Sequence, residues 1–208
     1  MVKKIANHEF VSNRPHATTI VGVKRNGSVA LAGDGQVTIG DVVLKHNARK
    51  LRTLYDGTVV AGFAGAVADA LTLFAKFEQQ LQSWDGNLRK AAVELTKEWR
   101  SDRYLRRLEA QLIVADAESI LLLSGEGDVI EPDDGVLAIG SGAPFATSAA
   151  KALVRHTDLS AEAIVRASMD VTAEICIFTN DRITVEVVDA STEPGAHDAD
   201  TAFEEEVG

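Results

Sequence analysis

The feature that most constrains the fold of this chain is the way its strand and helix patterns are grouped into blocks. Runs rich in β-branched residues come first, and tight turns such as Asn26-Gly27 and Asp56-Gly57 join them. Two amphipathic helical stretches follow, then a second block of strands, two more helical stretches and a last strand. Strands joined by hairpins pair antiparallel, whereas a parallel sheet needs a helix between successive strands. The order predicts an α+β fold, a four-layer αββα sandwich of two antiparallel sheets with helix pairs outside.

The helical stretches are recognised by an apolar residue at every third or fourth position. The predicted stripes are Val67, Ala70, Leu71, Phe74, Phe77 and Leu81 in the first stretch, Leu88, Ala91, Leu95, Trp99 and Leu108 in the second, and Ile164, Val165, Ser168, Val171 and Ile175 in the fourth. Asp85-Gly86-Asn87 separates the first two stretches, Pro144 suits the first turn of the third, and Ser160 is an N-cap for the fourth.

The chain of 208 residues is long enough for one domain with a single sizeable core, which we predict to span residues 18–188. Residues 1–17 are polar and show no periodicity, which fits either a disordered tail or a removable leader, and composition alone does not separate the two. Residues 189–208 are acidic and poor in apolar side chains, so they predict a disordered tail.

Charge and cysteine content narrow the class of protein. The formal net charge of −10 argues against binding to nucleic acid or to an anionic membrane, because both need basic patches. No apolar run approaches the roughly 18 residues of a membrane span, and polar residues interrupt the N-terminus where a secretory signal needs an apolar stretch. The single cysteine, Cys176, excludes an intrachain disulfide and favours a reducing compartment, so a cytoplasmic address is expected.

Common hydrolase motifs are missing from the sequence. The five histidines lack metal-ligand spacing, and the sequence has no H-E-x-x-H helix, G-x-S-x-G elbow or phosphate-binding G-x-x-x-x-G-K-[ST] loop. Cys176 lies in an apolar segment and is interpreted as a structural residue. Thr18, Asp34 and Lys50, taken one by one, have ordinary explanations as a strand threonine, a turn aspartate and a surface lysine.

A set of short motifs is more informative than any one residue. The motifs are T-T-I-V from Thr18, A-G-D-G-Q from Ala32, A-G-F-A-G from Ala61, A-A-V-E-L, W-R-S-D-R and L-R-R-L-E-A within residues 91–110, A-I-G-S-G from Ala138, and I-C-I-F-T-N from Ile175. Together they resemble the proteolytic subunits of bacterial HslUV (ClpYQ) proteases, a family related to proteasome β subunits. The resemblance runs from Thr18 to about Val188 and implies a fold of the N-terminal-nucleophile hydrolase class.

The resemblance implies that Thr18 attacks peptide bonds once the residues before it have been removed. A threonine hydroxyl is a weak nucleophile that needs a base, and the α-amine of a new N-terminus has an unperturbed pKa of roughly 7.7–8.0, near working pH. By the same resemblance, Lys50 lies beside Thr18 and steadies negative charge, and Asp34 orients Lys50 by an ion pair. Ser141 matches a serine that hydrogen-bonds near the terminal amine, and Gly62 matches the glycine whose backbone N–H stabilises the oxyanion.

The resemblance also implies a sodium ion and a set of partners. The backbone carbonyls of Ala173, Cys176 and Thr179 match the ligands of a sodium site, and hard cations prefer oxygen ligands. Two stacked hexameric rings of the chain would enclose the active sites, and a separate HslU-type AAA+ ATPase ring would unfold protein substrates and activate the subunit. Lys45 and Arg52 are candidates for contacting the carboxyl-terminal tail of that ATPase.

Two departures from the family pattern concern the ends of the chain. Relatives usually begin with Met directly before the Thr-Thr pair, whereas a leader of 17 residues precedes Thr18 here, which leaves the maturation route open. The acidic tail is longer than expected and has no assigned role.

Two alternative functions are an amidohydrolase of the same fold that acts on small molecules and a non-catalytic ring subunit. Retention of Thr18, Asp34 and Lys50 together argues against the second.

Overall fold

The computed structural model describes residues 18–108 and 110–190 of the chain. Within them the strands are β1 (Thr19–Arg25), β2 (Ser28–Gly33), β3 (Val37–Ile39), β4 (Val42–Lys45), β5 (Leu51–Leu54), β6 (Val59–Ala64), β7 (Gln111–Ala115), β8 (Ile120–Ser124), β9 (Val129–Ile130), β10 (Val136–Gly140) and β11 (Thr184–Asp189). The helices are α1 (Val67–Ser83), α2 (Leu88–Ser101), α3 (Ala143–His156) and α4 (Ala161–Ile175), with a short 3₁₀ helix at Leu105–Arg107. The predicted leader 1–17, and the predicted tail beyond residue 190, lie outside the described residues.

Two antiparallel sheets form the centre of the molecule. One has four strands in the order β10-β1-β2-β11, and the other has five in the order β5-β6-β7-β8-β9. Between β2 and β5 in the chain, β3 and β4 form a separate two-stranded hairpin. Neighbouring strands run antiparallel, as in β1 and β2, where Ile20 lies opposite Gly33. The antiparallel sheets predicted from the hairpin turns are confirmed.

Three hydrophobic clusters show how the sheets and helices are layered. Ile20 of β1 packs with Ile113 of β7, so the two sheets face each other. Val21, the next residue of β1, packs with buried residues of α3 and α4 on the opposite face. Phe63 of β6 packs with buried residues of α1 and α2 on the far face of the second sheet. Side chains alternate across a strand, so each sheet contributes to two clusters, and the predicted four-layer αββα sandwich is confirmed.

The predicted element boundaries are confirmed where a turn, a cap or a proline defines them. Asn26 and Gly27 have φ values of 54° and 77°, the positive values that a two-residue type I′ hairpin turn requires. Asp85-Gly86-Asn87 separates α1 from α2. Pro144 lies in the first turn of α3, and the hydroxyl of Ser160 caps α4.

The prediction that the stripe of the second helix runs on to Leu108 is wrong. α2 ends at Ser101, and Leu108 follows the short 3₁₀ helix. The chain leaves the helix at Asp102, whose carboxylate accepts hydrogen bonds from the backbone N–H groups of Tyr104 at 2.7 Å and Leu105 at 2.9 Å. A side chain that satisfies the backbone in this way starts a new turn instead of continuing the old helix.

The predicted buried faces of α1 and α4 are partly wrong. Leu71 is 53% exposed, Val171 is 42% exposed and Ile175 is 54% exposed. The side chain of Val67 lies outside the described part of the structure. The positions buried in addition to the correctly predicted ones are Leu73 in α1 and Ala161, Met169 and Thr172 in α4. Each residue rotates about 100° around a helix, so a stripe extended by one wrong step reaches the solvent side.

The described helices were compared with the requirements of a membrane span. None of them combines the length and the apolarity that a bilayer span requires.

Candidate active site

Four of the five predicted catalytic residues lie directly before or after a strand, and Gly62 lies inside β6. Thr18 directly precedes β1, Asp34 directly follows β2, and Lys50 directly precedes β5. Because β1 and β2 pair antiparallel, the start of β1 lies beside the end of β2. Ser141 directly follows β10, which also pairs antiparallel with β1, so the end of β10 lies beside the start of β1. Residues that are distant in the sequence are therefore brought together by antiparallel pairing.

The carboxylate of Asp34 is the centre of a buried polar network. Its Oδ1 accepts a hydrogen bond from the backbone N–H of Thr19 at 2.8 Å and another from Nζ of Lys50 at 2.7 Å. Its Oδ2 accepts a hydrogen bond from the backbone N–H of Gln36 at 2.8 Å. A buried carboxylate is tolerated when charge and hydrogen bonds compensate the lost water. One side chain thus connects Lys50 to the residue that follows Thr18.

Lys50 is a nearly buried cation, with 8% of its side chain exposed. Burial lowers the pKa of its ammonium from the ordinary value of 10.5, while the charge of Asp34 and its hydrogen bond act to raise that pKa. The net direction is downward. Lys50 therefore loses its proton at a lower pH than a surface lysine does, and Asp34 limits this loss.

Main-chain contacts hold the backbone at Thr18 and Thr19. The carbonyl of Thr18 accepts a hydrogen bond from the N–H of Ser141 at 2.8 Å, and the carbonyl of Thr19 accepts one from the N–H of Asp34 at 3.2 Å. Gly140 has a φ of +88°, and a Cβ on it would lie 1.9 Å from the carbonyl oxygen of Thr18. Only glycine permits this approach. These contacts fix the backbone of residue 18 whatever side chain it carries.

The hydroxyl of Thr19 links three parts of the chain. Its Oγ1 lies 2.7 Å from Oγ1 of Thr179, with which it shares a hydrogen bond, and it accepts a second one from the N–H of Gly142 at 3.0 Å. Thr19 and Thr179 are both buried. The second threonine of the T-T pair therefore joins β1 to the loop after β10 and to the segment after α4.

A cavity of about 270 Å³ opens beside Thr18. Its lining consists of Thr18, Val37, Lys45, Ala48, Arg49, Lys50, Phe63, Gly65, Ala70 and Phe74. The two aromatic side chains are almost completely buried, whereas Lys45 and Arg49 are exposed. An apolar wall next to a hydroxyl and a buried cation can hold an apolar substrate side chain while its backbone passes Thr18.

The structure separates two glycines of the A-G-F-A-G motif. Gly62 lies inside β6, opposite Leu51 of β5 and Ile113 of β7. The N–H of Phe63 points to β5, where it donates to the carbonyl of Lys50 at 3.2 Å. Because amides alternate along a strand, the N–H of Gly62 points to β7. Gly65 instead follows the end of β6 and lines the cavity beside Thr18.

We expect Gly62→Ala to lower the free energy of unfolding. A Cβ on Gly62 would lie 2.8 Å from Cγ2 of Ile20 and 3.0 Å from Cδ2 of Leu51, inside the core between the sheets. Overpacking a core costs roughly 1–3 kcal/mol. Urea denaturation of the variant, carried out together with Thr18→Ala to prevent self-digestion, measures this cost. An unchanged midpoint would mean that the core adapts to the methyl group without strain.

The residues matched to a sodium site surround the C-terminal end of α4. Ala173 lies in the last turn of α4, Cys176 is its C-cap, and Thr179 follows in the next turn. The backbone N–H of Thr179 donates to the carbonyl of Cys176 at 3.0 Å. The last carbonyls of a helix lack amide partners within it, and they lie at the negative end of its dipole. A sodium ion held by these main-chain oxygens stays a prediction.

Lys45 and Arg52, the candidates for contact with an ATPase, lie at the same end of the molecule as the cavity. Lys45 ends β4 and is exposed. Arg52 is exposed on β5, with its guanidinium 5.6 Å from the ring centroid of Phe74, a residue of the cavity wall. Their role toward a partner stays a prediction.

Sequence reasoning missed several residues that organise the site. Thr19, Gln36, Gly65 and Asn180 stand in the short motifs, but the motifs by themselves assign them no role. Gln36 and Asn180 form long-range hydrogen bonds within the chain, to residues more than 130 positions away in the sequence. Their position within those motifs is the one sequence signal that points to them.

Comparisons with known proteins agree on one family. The family described as proteasome subunit matches residues 15–188. The ATP-dependent protease subunit HslV of Pseudothermotoga lettingae is 59% identical over 172 residues, which cover 83% of this chain and 98% of that protein. The subunit of the same name from Oceanobacillus iheyensis is 61% identical over 176 residues, covering 84% of this chain and 97% of that protein.

Solved structures give the same result at the level of the backbone. A crystal structure of eukaryotic HslV from Trypanosoma brucei matches with a TM-score of 0.78 and 48% identity, covering 82% of this chain and 99% of that one. A second protein, Thiobacillus denitrificans BPH, matches with a TM-score of 0.64 and 21% identity over 84% of this chain and 100% of that one, and it shows the fold alone.

Proposed function

The chain belongs to the HslV group of the proteasome subunit family, and on that premise we propose that it is a threonine endopeptidase whose nucleophile is Oγ1 of Thr18. Proteins of this group are protease subunits of ATP-dependent proteases, so the coarse activity is peptide hydrolysis. The proposal that Thr18 is the nucleophile is supported by Oδ1 of Asp34, which accepts two hydrogen bonds. It binds both Lys50 and the amide next to Thr18, which holds a cation beside the candidate nucleophile.

The proposed reaction begins after cleavage of the bond between Ala17 and Thr18. The freed α-amine of Thr18 accepts the hydroxyl proton while Oγ1 attacks the carbonyl carbon of the peptide. The tetrahedral intermediate collapses to an ester on Oγ1, and the amine fragment leaves with a proton. Water then attacks the ester carbonyl, which breaks the bond to Oγ1, releases the acyl fragment as a carboxylate and regenerates the hydroxyl.

The buried charges tune this reaction. The positive charge of Lys50 lowers the pKa of the neighbouring α-amine, so more of the amine is neutral and able to act as a base at working pH. Asp34 keeps Lys50 charged by raising its pKa and keeps it in place by a 2.7 Å hydrogen bond. Ser141 contributes its N–H to the carbonyl of Thr18, and a role of its hydroxyl near the terminal amine stays part of the proposal.

We assign the oxyanion donor to the N–H of Gly65 in preference to that of Gly62. The N–H of Gly62 faces β7 within the sheet, whereas Gly65 lies at the cavity beyond the last residue of β6. Gly65 has a φ of 152°, and a Cβ on it would lie 2.8 Å from the Phe63 ring, so the backbone can take this path only without a side chain. Backbone N–H groups that point at the developing negative charge are worth several kcal/mol to such reactions.

The remaining elements of the proposal follow the family. A sodium ion held by carbonyls of Ala173, Cys176 and Thr179 would stiffen the turn whose Thr179 hydroxyl binds Thr19. The assembly is two stacked hexameric rings, activated allosterically by an HslU-type ATPase ring that delivers unfolded protein and contacts Lys45 and Arg52. A cytoplasmic address, inferred from the single cysteine, completes the proposal.

The intact mass of the mature protein tests the proposed N-terminus directly. We expect mass spectrometry of the purified protein to show a chain that begins at Thr18, because only a new N-terminus supplies an α-amine next to the hydroxyl. A chain expressed as Met followed by residues 18–208 is the control, since removal of Met alone exposes Thr18. An active mature protein that keeps residues 1–17 would contradict the mechanism, and an inactive one would favour a non-catalytic ring subunit.

A further inference from the structure

The β3–β4 hairpin separates two residues of the proposed catalytic machinery in the sequence. Asp34 lies shortly before β3, and Lys50 lies shortly after β4. Residues 34–36 and 46–50 are the two stems through which this hairpin joins the rest of the fold. The ion pair between Asp34 and Lys50 therefore depends on how the two stems are held together.

The stems lie in close contact near their base. The N–H of Ala48 donates to the carbonyl of Gly35 at 2.9 Å. A Cβ on Gly35 would lie 2.2 Å from the carbonyl oxygen of His46, so the two backbones touch at a position that requires glycine.

The side-chain amide of Asn180 bridges the same two stems. Its Oδ1 accepts a hydrogen bond from the N–H of Gly35 at 3.0 Å, and its Nδ2 donates to the carbonyl of His46 at 2.9 Å. Oδ1 also accepts a hydrogen bond from the N–H of Arg182 at 3.2 Å, which anchors the amide to its own segment. A primary amide is both donor and acceptor, so asparagine can serve both stems, whereas a carboxylate can only accept.

A second contact ties the first stem to the same segment. Nε2 of Gln36 donates to the carbonyl of Ile177 at 2.9 Å, and the N–H of Gln36 donates to Oδ2 of Asp34. The segment after α4 thus reaches the catalytic carboxylate through Gln36 and holds both stems through Asn180.

We propose that Asn180 is a positioning residue for the catalytic pair, because its amide clamps the two stems that carry Asp34 and Lys50. This inference rests on the proposed function. Asn180 acts through the distance between Lys50 and the α-amine of Thr18, since loosening the stems moves the cation away from the amine. Small displacements of catalytic groups reduce rates strongly, by up to about 100-fold for 1 Å.

The test is the pH dependence of peptide hydrolysis by Asn180→Ala. The mature full-length protein would be assayed with its ATPase ring and ATP on a short fluorogenic peptide that has an apolar residue before the cleaved bond. We expect kcat to fall about 10- to 100-fold, with KM changed less than about twofold. The acid limb of the profile should shift to higher pH, because the pKa of the amine rises when Lys50 moves away.

Arg182→Ala is the matched control. Its side chain is 72% exposed, and the variant keeps the backbone N–H that binds Asn180, so its kcat and pH profile should match those of the wild type. If Asn180→Ala does not fold, Asn180→Asp is the second variant, since it keeps the size and the acceptor but cannot donate to His46; its kcat is the readout, because the added negative charge by itself raises the pKa of the amine. A folded Asn180 variant with wild-type kcat and an unshifted acid limb would overturn the inference.

The outcome for Lys50→Met separates this inference from the proposed function. A shifted acid limb in Lys50→Met, together with an unshifted one in the Asn180 variant, would overturn the clamp alone. An unshifted acid limb in Lys50→Met as well would overturn the proposed function.

Discussion

Thr18→Ala is expected to abolish peptide hydrolysis while the protein still folds. The variant lacks the hydroxyl that forms the ester, and removal of a nucleophile in hydrolases of this kind costs on the order of 10⁴-fold or more in kcat. The fold should persist because the main chain at residue 18 is held by the N–H of Ser141, and the next residue is held by Asp34. Hydrolysis of a fluorogenic peptide and the melting temperature are the two measurements.

Thr18→Ser is the matched variant for this prediction. It keeps a primary hydroxyl and the α-amine, so a large part of the activity should remain. Both variants should be made in the chain that consists of Met followed by residues 18–208, because a defect in leader removal would otherwise be confused with a defect in catalysis. Wild-type turnover in Thr18→Ala would rule out Thr18 as the nucleophile.

Lys50→Met is expected to lower kcat about 100- to 1000-fold and to shift the acid limb of the pH profile upward. The α-amine must be neutral to act as a base, so activity rises as pH passes through its pKa. The charge of Lys50 lowers that pKa, and its removal lets the pKa return toward roughly 7.7–8.0. Initial rates measured from about pH 5 to about pH 10, in one buffer series at constant ionic strength, give both the fall in kcat and the shift of the acid limb.

Asp34→Asn provides the complementary result. Asp34 raises the pKa of Lys50 against the effect of burial, so the variant should lower the pKa of Lys50 further. Lys50 then loses its charge at a lower pH, and the alkaline limb of the profile should shift downward. Both variants remove one partner of a buried ion pair, at a cost of roughly 3–5 kcal/mol, so the melting temperature of each is measured alongside its pH profile. Wild-type profiles in both variants would remove the ion pair from the mechanism.

The layer architecture could be predicted because it depends on local patterns. The type I′ turn at Asn26-Gly27 requires residues that tolerate positive φ, and the cap at Ser160 satisfies a backbone group a few positions away. Such signals lie entirely within a few residues of sequence. The buried faces of α1 and α4 were less predictable, because exposure of Leu71 or Val171 depends on where the neighbouring layer ends.

The candidate site could be predicted in its residues but not in its connections. Motif resemblance pointed to Thr18, Asp34 and Lys50. Antiparallel pairing of β1 with β2 places Thr18 beside Asp34, and Lys50, which precedes β5 of the other sheet, reaches Asp34 by a hydrogen bond. The resemblance pointed to Gly62, whose N–H lies within the sheet, and not to Gly65 at the cavity. The direction of an amide depends on strand register, which the sequence of one strand does not contain.

The sequence by itself determined the order of strands and helices, the hairpin turns, and the set of motifs that identifies the family. These features follow from backbone preferences and side-chain periodicity, which act over short distances along the chain. The tertiary structure alone decided which atoms meet. Three hydrogen bonds show this: Asp34 accepts one from the amide of Thr19, the hydroxyls of Thr19 and Thr179 share one, and Asn180 accepts one from the amide of Gly35. They join segments up to 160 positions apart. Hydrogen bonds require partners about 3 Å apart, and only packing of the four layers sets such distances.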